Sequence, residues 1–223
     1  MKAAVICMGQ SREDKYEDLF RALPGVELEI RGILDNMTLS DIERDVWPRG
    51  GEPFIVSNIA DGSEVRIAEA QAIRLVNERI LELSQSGFGA ALILCTGHFV
   101  PPETDMTVLV PERVIPALLG ALGVRRLGAI VPEPEQIADS LRQYAEFNPI
   151  IRASSPYGSA EELAKTAEQF RDERVDLILT DCMGFTRALG EIVSRHSGKR
   201  AFVPRVILPA LLGALMIETT NLH

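Results

Sequence analysis

The chain has 223 residues, 46% apolar and 25% charged. That composition excludes disordered, collagen-like and coiled-coil chains and leaves one large folded domain or two small ones. Against 23 basic residues stand 32 acidic ones, a formal net charge of −9, so no basic face is available to neutralise a nucleic acid. Small anionic substrates stay open, because single arginines and helix ends can hold them.

The apolar opening that ends at Met8 is too short for a signal-peptide core. The longest apolar stretch, 206–217, falls short of the ~18 residues of a membrane span and contains Pro209 and Gly213. Three cysteines at uneven spacing do not form a disulfide framework. The expectation is a cytoplasmic protein with reduced thiols and no membrane or nucleic-acid partner.

Strand signals fall at 3–7, 26–34, 90–94, 127–131, 149–153, 175–180 and 200–203, each an aliphatic run closed by a turn. Helical periodicity appears within 63–86 through Ile67, Ile73, Val76, Ile80 and Leu83, and within 159–173 through Leu163, Ala167 and Phe170. Strands alternating with helices predict crossover units and parallel sheets. Ser40-Asp41-Ile42-Glu43 matches a capping box and predicts a short helix. Beyond Pro48 and Gly50-Gly51, a hairpin is expected near 54–67, turning at Asp61-Gly62. A surface elaboration is the expected role of this insertion; a lid over a site is the alternative.

An internal repeat organises the rest. Pro116-Ala117-Leu118-Leu119-Gly120-Ala121-Leu122 recurs as Pro209-Ala210-Leu211-Leu212-Gly213-Ala214-Leu215. Arg113-Val114-Ile115 precedes the first copy, and Arg205-Val206-Ile207-Leu208 the second, with one added residue. Each copy follows an aliphatic strand, a Cys-x-Gly word (Cys95-Thr96-Gly97, Cys182-Met183-Gly184) and a phenylalanine, Phe99 or Phe185. Repeated order as well as repeated words predicts two related α/β lobes. The first is expected over 1–110 plus 206–223, the second over 111–205. Proline is expected in or near the first turn of each repeated helix, with Arg113 and Arg205 flanking.

Ligands of parallel α/β sheets bind beyond the carboxyl ends of the strands. Gly9-Gln10-Ser11-Arg12, Cys95-Thr96-Gly97-His98 and Asp181-Cys182-Met183-Gly184 stand at such ends. Two pseudo-symmetric lobes with a cleft between them would bring both cysteine loops to one place, where one thiolate removes a proton from carbon and the other thiol returns one. A free cysteine has a pKa near ~8.5, and the amides of a following helix N-terminus, near Gly97 and Gly184, are expected to help ionise it. Candidate catalytic residues are Cys95 and Cys182. Candidate substrate-binding residues are Gly9, Ser11, Arg12, Thr96, Gly97, His98, Asp181, Met183, Gly184 and Phe185. Cys7, inside the first strand, is expected in the core. Cys-x-x-His without a second ligand pair gives no metal site. No dinucleotide or phosphate-loop glycine motif, serine-hydrolase elbow or His-Glu-x-x-His occurs, which disfavours those chemistries.

At these residues the sequence resembles the AroM family. The resemblance takes in the opening strand and Gly9, residues 90–97, Arg113-Val114-Ile115-Pro116 and Gly128-Ala129-Ile130-Val131-Pro132. It is most specific at Leu177-Ile178-Leu179-Thr180-Asp181-Cys182-Met183-Gly184-Phe185. That family is similar to the aspartate/glutamate racemase superfamily. The likeness implies two pseudo-symmetric parallel α/β lobes, each giving one cysteine to an interlobe site without a cofactor. Glutamate racemases typically carry Cys-Asn-Thr and Gly-Cys-Thr-His, words that Cys95-Thr96-Gly97 and Asp181-Cys182-Met183-Gly184 do not reproduce; the second motif looks more like that of hydantoin-racemase relatives. The leading expectation is a cofactor-independent racemase or isomerase acting on a small carboxylate or carbonyl compound, with a homo-oligomer left open. The alternatives are a one-cysteine decarboxylase and a non-catalytic two-lobed small-molecule binder or regulator.

Overall fold

The computed structural model describes residues 2–23 and 25–216. The chain divides into two compact units: one holds the chain up to Val110 and the segment from Pro209, the other Pro111–Leu208. The part of the first lobe expected beyond Met216 lies outside the described residues.

In the first unit, β1 (Lys2–Cys7) is flanked by β2 (Glu27–Gly32) and β5 (Ala90–Ile93), with β6 (Thr107–Leu109) outermost. All three pairings are parallel. In the second unit, β7 (Leu127–Val131) lies between β8 (Ile150–Ala153) and β9 (Leu177–Thr180), with β10 (Ala201–Phe202) outermost, again all parallel. Strand for strand, the two sheets share one order. The fold is α/β with two parallel sheets of matching topology, as the repeat predicts.

The inner strands β1, β5, β7 and β9 are buried on both faces, which is why they read as continuous aliphatic runs, whereas the edge strand β2 alternates Glu27, Glu29 and Arg31 with apolar residues. Ala91, Leu92 and Ile93 of β5 and Ile178 and Leu179 of β9 have no exposed surface. Helix α3 (Glu69–Gln85) covers the first sheet through Ala72, Val76, Ile80 and Leu83. The second core gathers Leu163 and Ala167 of α6 (Ala160–Glu168), Phe170, and Val193 of α7 (Arg187–Ser197). Cys7 is buried, and that burial pushes its thiol pKa up.

The helices carry three corrections. Ile67 belongs not to a helix but to β4 (Glu64–Ala68), the inner strand of the antiparallel hairpin with β3 (Phe54–Asn58). Gly62 supplies the positive φ of its turn, at +92°. The short helix α2 (Leu39–Asp45) is capped by Thr38, not Ser40, with Asp41 completing the box. Finally, the repeated helices α4 (Pro111–Ala121) and α8 (Pro204–Leu215) start earlier than expected, so Pro116 and Pro209 stand inside them. Interior proline removes one helical hydrogen bond; the N–H of N1 proline would have been unpaired anyway, which suits Pro111 and Pro204. With the starts aligned, the two helices match without an added residue, and Glu112 takes the place that Arg205 has in the second copy.

The α2 cap has a measurable consequence. The hydroxyl and amide of Thr38, then Arg44, hold the Asp41 carboxyl down at about 2. A carboxyl lowered by folding stabilises above its unfolded value, ~3.9, and loses that contribution as pH falls through its folded value. Thr38→Ala is expected to cost about 1 kcal/mol at neutral pH. The gap in unfolding temperature between wild type and Asp41→Asn is expected to shrink from pH 5 to pH 2.

Candidate active site

Each sheet ends its third strand in a cysteine turn of the same construction. Directly after β5, the Leu94 amide donates to Ile6 O of β1 at 2.8 Å; directly after β9, the Asp181 amide donates to Ile130 O of β7 at 2.8 Å. The next residue is the cysteine. The Gly97 amide donates to Cys95 Sγ at 3.5 Å, and the Gly184 amide to Cys182 Sγ at 3.3 Å. Neither cysteine is in a disulfide, and both are half-buried. An N–H aimed at sulfur favours the thiolate over the thiol.

Beyond the turns the two units diverge. Helix α7 begins at Arg187, capped by the Thr186 hydroxyl, so its amide end lies just past the Cys182 turn. After Cys95 the chain runs to residue 106 without helix. The expected helix N-terminus is therefore absent behind Cys95, and the Gly97 amide acts there without a dipole behind it.

The glycines of the two turns are there for different reasons. A Cβ on Gly184 would stand 2.8 Å from Pro156 Cγ and 2.9 Å from the Tyr157 hydroxyl, in the loop between β8 and α6. On Gly97 it would meet nothing nearer than 3.5 Å. The exposed Tyr157 thus borders the Cys182 turn, a neighbour that no motif in the sequence announces.

The residues around the second turn are polar and buried. Asp181 is 7% exposed; Tyr144, just beyond α5 (Ile137–Gln143), donates its hydroxyl to Oδ1 at 3.1 Å, and Ser140 of α5 donates to Oδ2 at 3.4 Å. Burial first, and then the Asp181 charge, push the Tyr144 pKa far up, so the phenol stays a donor. Arg205, expected to flank its helix, is instead buried as the second residue of α8 and donates to Met183 O at 3.2 Å. Arg113 is exposed.

Several expected ligand contacts have other occupations. Phe185 has no exposed surface and belongs to the second core, and Met183 is 4% exposed; core packing claims both side chains. Ser11 donates through amide and hydroxyl to Asp35 Oδ1, at 2.7 and 2.9 Å, while Asp35 Oδ2 accepts from Gly32 N–H. Arg12 Nη1 donates to Ala60 O at 3.1 Å, and the Ala60 amide donates to Gln10 Oε1 at 2.8 Å. Gly9 is packed under the Asn58 carbonyl of the hairpin. The hairpin is thus fastened to the turn after β1. Thr96 and Gly97 remain half-buried beside Cys95, and His98 is exposed.

Among the described residues no group of three metal-ligating side chains gathers, and no helix is long and apolar enough to cross a membrane. No curated protein sequence matches the chain. Solved structures share the fold, three of them at TM-scores of 0.54 to 0.57. A putative Asp/Glu racemase from Yersinia pestis is 10% identical, with 96% of this chain and 99% of that one covered and a TM-score of 0.57. An arylmalonate decarboxylase is 13% identical, covering 96% and 89% with a TM-score of 0.55. A cysteine-to-serine variant of the Nocardia farcinica maleate cis-trans isomerase, carrying a covalently bound succinylcysteine intermediate, is 16% identical, covering 96% and 90% at 0.54. The profile of the AroM protein family matches residues 3–216, and the chain belongs to that family.

Proposed function

We propose that the protein is a cofactor-independent racemase or isomerase in which Cys95 and Cys182 act on the two faces of one substrate carbon next to a carboxylate or carbonyl. One sulfur removes the proton and the other returns one. A single observation carries the reading: each unit ends its third strand in a half-buried thiol whose sulfur accepts the amide of the glycine two residues on. Duplication of a thiol with its donor is what a reaction with two proton transfers needs, and a packing cysteine does not. The racemase, isomerase and decarboxylase neighbours, one with a cysteine-bound intermediate, support it as chemistry hosted on this fold. Thr96, Gly97 and Gly184 supply the backbone edge for a small carboxylate. The setting is proposed to be cytoplasmic.

Decarboxylation with one protonating thiol is the second reading, favoured by the helix that follows Cys182 and not Cys95. The test is incubation in deuterium oxide with amino acids, hydantoins and malonates, reading deuterium at the α-carbon by mass spectrometry. Exchange that requires both thiols supports the two-base reading. Loss of carbon dioxide that requires only Cys182 supports the decarboxylase. Tight binding without exchange would identify a binder and overturn both.

A further inference from the structure

Leu94 and Asp181 occupy the same place in the two units: each directly follows the third strand, gives its amide to the first strand and precedes the cysteine. Each is 7% exposed. One copy of the turn is therefore built with leucine there, and nothing in the turn's backbone demands a carboxylate. An ionised group in such a place is costly unless partnered, and here it accepts hydrogen bonds from the Tyr144 and Ser140 hydroxyls. We infer that Tyr144 and Asp181 form a positioning pair for Cys182, the phenol fixing the carboxylate that immediately precedes the thiol and so making the two cysteines unequal. The pair deepens the proposed reaction and rests on Cys182 being a reacting thiol.

The polar and charged groups named around the pair come from α4, α5 and its end, and α8. Tyr144 and Ser140 reach Asp181 from α5 and its end. Glu112 of α4 adds a negative charge that acts on Tyr144. Arg205 of α8 brings a buried positive charge to Met183 O, next to Cys182 on its other side. Of these groups only the Asp181 carboxylate is on the residue adjoining the thiol, and a like charge so near opposes thiolate formation. The Tyr144 hydroxyl, donating to that carboxylate, offsets part of its field.

These two effects have opposite signs, and that separates a positioning role from a merely structural one. The experiment alkylates the whole protein with iodoacetamide over a range of pH and reads the Cys182 and Cys95 peptides separately by mass spectrometry. Asp181→Asn keeps the acceptor for Tyr144 and removes the charge; it is expected to lower the Cys182 midpoint by about one pH unit and leave that of Cys95 unmoved. Tyr144→Phe is expected to raise the Cys182 midpoint by a smaller amount, and the double variant to follow Asp181→Asn. A midpoint unmoved by Asp181→Asn, or moved in the same direction by both single changes, overturns the pair. Should Asp181→Asn fail to fold, Tyr144→Phe decides alone: a rise supports the inference, and a fall or no change refutes it. Alkylation needs no substrate, so this result stands apart from the solvent-exchange test.

Discussion

Gly9→Ala is expected to unfold roughly 10 °C below the wild type, and its thermal midpoint by circular dichroism is the check. The added Cβ would lie 2.2 Å from Asn58 O and 2.8 Å from Ser57 Oγ. The first of these atoms is backbone of β3 and cannot swing aside. Relief requires the hairpin to lift from the turn after β1, straining the Gln10 and Arg12 contacts with Ala60. Overpacking of this kind costs about 3 kcal/mol. Gly97→Ala is the control: with nothing nearer than 3.5 Å, it is expected to leave the midpoint unchanged. Equal melting of wild type and Gly9→Ala would show that the hairpin is not fastened as described.

Cys95→Ser and Cys182→Ser are each expected to lower solvent exchange by about 10²- to 10⁴-fold, the scale of a lost general acid or base. Serine keeps the size and can still accept the glycine amide that each sulfur accepts at 3.5 or 3.3 Å. Both positions are half-buried, so little apolar burial is lost and the unfolding temperature is expected to stay near the wild-type value. The ionisable thiol is the group that disappears. Loss of exchange together with loss of fold would instead mark the cysteines as packing residues.

The strands were legible because parallel sheets covered on both faces require unbroken aliphatic runs, as at 90–93 and 127–131. Strand β6 escaped, since Thr107-Val108-Leu109 is only three residues long and comes after a proline-containing loop. Thr38 is not distinguishable as the cap from sequence, because Ser40 offers the same hydroxyl two residues later and spacing alone does not choose between them. The interior prolines point to the wrong helix starts for a physical reason: proline is commonest in a first turn, whereas Pro116 and Pro209 stand inside their helices. At the site, the cysteine words were readable as words. Tyr144, Tyr157 and Asp35 were not, because a side chain reaching 37 residues along the chain, as Tyr144 does to Asp181, has no local signature. Gly9 reads from the sequence as a substrate-binding residue at a strand end; that it must be glycine lies in the packing of Asn58, which only the folded chain reveals.

Helix α8 has a consequence for biosynthesis. The second unit ends at Leu208, while α8 continues from Pro209 as part of the first, where Gly213 is so close to Leu23 that an added Cβ would lie 2.7 Å from Leu23 Cδ2. A ribosome therefore delivers the first unit's strands before the second unit and its turns of α8 after it. Domains commonly fold as they emerge, the N-terminal one leading; here the later-encoded unit has all its parts before the earlier one does. The first unit must wait, incomplete, until the whole of the second has been translated, which makes it the stretch that a chaperone would have most reason to guard.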